Sequence, residues 1–86
     1  MSDANTRRDH LLRMRDELFQ ELEQADLDFS RVRMQVERME SDLRIGRPEP
    51  AGFAEAKGHA LPQAEAHFLD LYRELLKLED KLQSTE

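Results

Sequence analysis

The 86-residue chain has no cysteine and no tryptophan, and it contains only three glycines and three prolines. Without cysteine there can be no disulfide framework and no thiol chemistry, which suits a reducing compartment. No apolar run approaches the roughly 18 residues that a membrane span needs, and the first ten residues lack the apolar core of a secretory signal. We therefore expect a cytoplasmic protein that makes no use of a membrane.

Catalytic and metal-binding motifs are also missing. A di-iron site in a helical bundle needs Glu-x-x-His on two helices, whereas the residues three positions before the three histidines are Arg7, Ala56 and Ala64. There is no glycine-rich phosphate loop and no nucleophile elbow. The sequence thus predicts a protein that is not an enzyme and that has no cofactor and no metal site.

The composition favours long, solvated helices. Charged residues make up 37% of the chain and apolar residues 38%, against typical values of roughly 25% and 45–50%. Strand-forming residues are scarce, with two valines and one isoleucine. A chain of this length forms at most one small domain, so we expect a single all-α domain over residues 1–86.

Apolar residues recur at alternating intervals of three and four, the spacing of a coiled-coil seam, in two arms. Gly46 and Pro48 are typical of a helix end, and Thr6 with Asp9 forms a plausible helix-capping pair. These features predict a first helix over about 7–45. Its seam comprises Leu11, Leu18, Leu22, Ala25, Phe29, Val32, Val36, Met39 and Leu43.

The second seam predicts a helix over about 62–83, with Pro62 in its first turn. It comprises Leu61, Ala64, Phe68, Leu71, Leu75, Leu78 and Leu82. Residues 46–61 hold too many glycines and prolines for one continuous helix. They form either a turn with a short helix near residues 51–57, stopped by Gly58, or a long functional loop.

Folding the arms back gives a two-helix antiparallel coiled-coil hairpin. The pattern of large and small residues predicts a register in which Phe29 faces Leu78 and the second arm ends near Ala25. The segment 7–21 then has no cover from its own chain. A second apolar stripe also follows the later arm at Leu69, Tyr72 and Leu76.

Surplus apolar surface predicts association. Two hairpins dimerising into a four-helix bundle would bury both stripes, and a different protein is the other possible occupant. The residues predicted at the partner or dimer interface are Leu11, Leu12, Met14, Leu18, Phe19, Leu27, Met34, Leu69, Tyr72 and Leu76.

Charge patterning bears on the partner. An acidic block over 16–28 lies between arginine-rich segments, so an antiparallel dimer offsets like charges better than a parallel one. The net charge of −6 and the lack of interleaved aromatic residues argue against nucleic acid. Any phosphate contact would fall to the four N-terminal arginines, Arg7, Arg8, Arg13 and Arg15.

The sequence therefore predicts a non-enzymatic protein–protein interaction module. It would be a small homodimeric regulator, adaptor or chaperone that binds a partner protein through its surplus apolar helix surface. Two alternatives stay open: a structural or assembly subunit of a larger complex, and a nucleic-acid accessory protein that uses the N-terminal arginines.

Overall fold

The computed structural model describes residues 3–84, which form two helical arms folded back on each other. Helix α1 spans Asp3–Arg44, α2 spans Phe53–Glu55, a π-helical turn spans Ala56–Ala60, and α3 spans Leu61–Ser84. The last three follow one another without a break, so we call residues 53–84 the second arm. The pair measures 68 × 16 × 15 Å. The prediction of an all-α helical hairpin is confirmed.

The first arm ends at a glycine, as the sequence predicts. Gly46 has a φ of 87°, a left-handed conformation that costs glycine little. The N–H groups of Gly46 and Arg47 donate to the carbonyls of Leu43 and Asp42, both at 3.1 Å, which is the Schellman arrangement. Arg47 also forms a 3.3 Å ion pair with Asp42. The helix end is therefore closed by backbone and side chain together.

A second tight turn starts the return arm. The N–H of Phe53 donates to the carbonyl of Pro50 at 3.2 Å, and Gly52 between them has φ 81° and ψ 6°. These angles are those of the third residue of a type II turn, where glycine is favoured. The non-helical connection is consequently only residues 45–52, half the length of the predicted connection at 46–61.

The π turn Ala56–Ala60 has its cause in Pro62. Proline has no N–H and its ring collides with the carbonyl four residues earlier, so a regular α-helix cannot pass through it unchanged. Here the N–H of Leu61 donates to the carbonyl of Ala56, five residues back. Gly58 therefore lies inside the second arm, and the prediction that it stops a short helix is wrong. Thr6 likewise lies inside α1 and caps nothing at its start.

The extra helical residues change the register of the hairpin. The ring of Phe29 lies 6.2 Å from that of Phe68, ten residues before its predicted partner Leu78. Closer to the turn, Lys57 forms a 3.4 Å ion pair with Glu40. A displacement of ten residues is about 15 Å along a helix. The predicted register is therefore wrong by about three helical turns.

As a result, the second arm covers the first from the turn to about Leu11. Leu11 and Leu18 are only 6% and 7% exposed, so the predicted uncovered segment at 7–21 does not exist as such. Leu12 and Phe68 pack against the edge of this core. The buried cluster comprises Leu11, Leu18, Leu22, Ala25, Leu71, Leu75, Leu78 and Leu82.

Candidate interaction surface

The second arm carries a continuous exposed apolar stripe. Leu69, Tyr72 and Leu76 are between 41% and 47% exposed. Their spacing of three and four residues places them on one side of α3. The seam residues beside them, Leu71 and Leu75, are buried. The sequence therefore identified both the inner and the outer stripe of this helix.

Phe19 lies on the same side of the hairpin as this stripe. A shallow groove between the arms is lined by Leu12 and Arg15 of α1 and by Glu79 of α3. Phe19 follows Leu12 by seven residues, and Tyr72 precedes Glu79 by seven, so each lies one heptad along from the groove on the same side. We call the side defined by Leu12, Phe19, Leu69, Tyr72 and Leu76 the stripe face.

Aromatic contacts fix part of the stripe face to the core. The ring of Tyr72 lies 6.5 Å from that of Phe68, and Phe68 in turn contacts Phe29. On α1, the guanidinium of Arg15 lies 5.9 Å from the centre of the Phe19 ring. Such contacts contribute about 0.5–1 kcal/mol each at exposed sites. Tyr72 and Phe19 therefore each have an intrachain contact although both are nearly half exposed.

The remaining exposed apolar residues lie on other surfaces. Leu27 and Met34 point away from the second arm and line a shallow groove on the outer face of α1 with Arg31 and Arg38. Met14 lines a groove between the arms, together with charged residues of both helices. Seven of the exposed apolar residues thus fall into three regions, of which the stripe face has the most large side chains, and Ile45 lies apart from them beside the turn.

The structure places the ten predicted interface residues in different environments. The structure leaves seven of the ten exposed: Met14, Phe19, Leu27, Met34, Leu69, Tyr72 and Leu76. Leu11 and Leu18 belong to the intrachain core and Leu12 lies half-buried at its edge, so the expectation that these three lack an intrachain partner is wrong. Ile45, 66% exposed beside the turn, was missed. The position of Ile45 outside the heptad seam could have indicated that its side chain is exposed.

The four N-terminal arginines differ in their exposure. Arg7 and Arg13 are exposed, whereas Arg8 and Arg15 line the groove against the second arm. The Nε atom of Arg15 is buried and has no hydrogen-bond acceptor among the described residues. Two of the four arginines therefore face solvent and two lie beside the second arm.

Two further features are absent from residues 3–84. No group of three or more histidine, aspartate or glutamate side chains there is placed to hold a metal ion. Neither arm, over the same residues, contains a stretch long and apolar enough to cross a bilayer.

Comparison with models of known protein families, with curated proteins and with solved structures gave no match.

Proposed function

We propose that the protein is a non-enzymatic interaction module whose hairpins pair through the stripe face into a four-helix bundle. The observation that carries the proposal is the row of three exposed apolar side chains on α3, Leu69, Tyr72 and Leu76, with Phe19 on the same side of α1. Contiguous apolar patches of this kind mark protein–protein contacts more often than chance exposure does.

The energetics support association through this face. Burying a large apolar side chain fully contributes about 1.5–3 kcal/mol, and these four are already about half covered, leaving about 1 kcal/mol each. A symmetric dimer uses each of them twice, so about 8 kcal/mol is available before the entropic cost of association. That supports a reversible dimer rather than a permanent one.

A dimer built in this way keeps a second apolar surface available. Leu27 and Met34 lie on the outer face of α1, away from the stripe face, with the exposed arginines Arg31 and Arg38 beside them. This surface suits the regulator, adaptor or chaperone role, in which the dimer presents a face to a different protein.

The test compares two matched double variants. Phe19→Gln with Leu76→Gln removes apolar area from the stripe face, and Leu27→Gln with Met34→Gln removes it from the outer face. We expect the first variant to be monomeric by light scattering and the second to remain dimeric, both with near-normal helix content by circular dichroism. Equal masses for both variants and the native chain would refute association through the stripe face.

A further inference from the structure

We infer that two copies of the chain pair with their turns at the same end of the bundle, about a twofold axis parallel to the long axis of the hairpin. This inference rests on the proposed function and adds the geometry of the partner. In this arrangement, α1 of each copy lies on the second arm of the other, with the two stripe faces in contact.

The apolar residues match in this orientation. Leu18 and Leu78 line the same groove between the arms, so Phe19 lies within about one helical turn of the level of Leu76. An axis parallel to the hairpin keeps every residue at its own level. Phe19 of one copy therefore reaches Leu76 of the second copy, and the symmetric contact forms at the same time.

The charges at the edges of the stripe face match as well. Arg15 and Glu79 line one groove and so lie within about one helical turn of the same level. Arg33 lies 5.4 Å from the centre of the Phe29 ring, which contacts Phe68, three residues after Glu65. Hence each copy presents arginines on α1 at the levels where the second copy presents glutamates on α3. Such complementarity selects orientation even where single exposed pairs are weak.

The opposite orientation places like charges together. A twofold axis across the hairpin at Tyr72 would set Leu69 on Leu76 of the second copy, which is favourable. It would also set Glu65 against Glu79, and it would turn Phe19 towards polar residues near Ser30. Like charges at a contact disfavour that pairing.

The charge pattern of the sequence favoured an antiparallel dimer because that prediction placed the acidic block of one α1 beside the α1 of the other copy. In the inferred bundle the two α1 helices are diagonal, and the acidic block of each faces the second arm of the other copy. The repulsion between acidic blocks is therefore reduced without reversing one hairpin.

Spin labels on the turn distinguish the two orientations. The native chain has no cysteine, so a label on the exposed Ala51, introduced through Ala51→Cys, reports only on itself. Turns at the same end should lie within about 30 Å, because neighbouring helices pack about 10 Å apart. Turns at opposite ends should lie roughly 70 Å apart, from 1.5 Å per residue along both hairpins.

Pulsed electron paramagnetic resonance on this variant, with its mass from light scattering, gives three outcomes. A dimer with the short distance supports the inference. A dimer with the long distance overturns the inference and leaves the proposed function standing. A monomer at all accessible concentrations overturns both.

A charge exchange tests the same orientation independently. Arg33→Glu and Glu65→Arg, made on separate chains, each place like charges at the inferred contact between identical copies. In a mixture of the two chains, both contacts regain opposite charges. We expect the mixed dimer to form about tenfold more tightly than either homodimer at low salt. No preference for the mixed dimer would count against the inferred pairing.

Discussion

Neighbouring residues on α3 have opposite environments although their side chains are identical. Leu75 is 7% exposed and belongs to the core cluster, whereas Leu76 is 47% exposed and belongs to the stripe face. A helix turns by about 100° per residue, so consecutive positions face different surroundings. Substitution of Leu75 should therefore report on folding, and substitution of Leu76 on the association proposed for the stripe face.

Replacing these two leucines separates the two processes. Leu75→Ala should lower the free energy of unfolding by about 2–5 kcal/mol, since it removes buried methyl groups and leaves a cavity. Leu76→Ala should change the unfolding free energy of the monomer by less than about 1 kcal/mol. Urea denaturation at several protein concentrations, extrapolated to the monomer, measures both. Equal losses would mean that the assignment of core and stripe is wrong.

Two glycines form a second matched pair. Gly46 has a positive φ, whereas Gly58 does not, and a methyl group at either position would meet no neighbouring atom. Gly46→Ala should cost about 1–2 kcal/mol because an L-residue is strained in the left-handed region. Gly58→Ala should raise stability by about 0.5–1 kcal/mol, since alanine loses less backbone entropy in a helix. Thermal unfolding of both variants checks the opposite signs.

The seams of both arms were largely predictable because coiled-coil spacing is a local property. Leu71, Leu75, Leu78 and Leu82 are all buried, as the heptad pattern indicates. What the pattern did not reveal is where one arm lies along the other. That depends on the length of the connection, and the glycines and prolines of 46–61 masked a helical start at Phe53.

The π turn explains why the second arm was harder to read. Continuing the heptad backwards from Leu61 would put Lys57 on the inner side. In the structure Ala56 is buried, Phe53 is half-buried and Lys57 is exposed. The one extra residue of a π turn advances the phase by one position. A stripe of Phe53, Ala56 and Ala60 was present in the sequence, but it is out of phase with the seam that follows.

Removing that extra residue should be tolerated only inside the π turn. Deletion of Gly58 together with Pro62→Ala should convert Ala56–Ala60 into ordinary α-helix and keep Phe53 and the later leucines facing α1. The melting temperature should then stay the same or rise. Deleting the exposed Glu65 with the same proline change should rotate the two parts of the arm against each other by about 100°. A clear loss of cooperative melting is expected for this control alone.

For the whole molecule, the error in register matters more for the candidate surface than for the fold. The predicted hairpin remains correct although the second arm is displaced along the first by about three turns. The set of uncovered residues, however, changes with this displacement. Leu11 and Leu18 move into the core, while Phe19 remains exposed because it lies off the seam. An apolar stripe outside the seam is thus predictable from sequence. Which end of α1 lacks cover from the second arm is not, because that depends on the register.

Truncation tests this coverage directly. Removing residues 1–20 deletes Leu11 and Leu18, which pack in the cluster with Leu78 and Leu82. The end of α3 should then fray, so helix content by circular dichroism should fall by more than the deleted residues account for. A control that removes only residues 1–6 should lose no more than its own share. Protected amides at the end of α3 in the longer truncation would show that this helix does not need α1.

The short connection at residues 45–52 sets the order in which the hairpin assembles. Contacts next to the turn close a small loop, whereas those between Leu11 and Leu82 close nearly the whole chain. Loop-closure entropy grows with length, and local contacts favour rapid folding. Refolding should therefore begin at the closed end and advance towards the open end. Thermal opening should run in the reverse direction, so that amide exchange is fastest at the open end of the hairpin and slowest beside the turn.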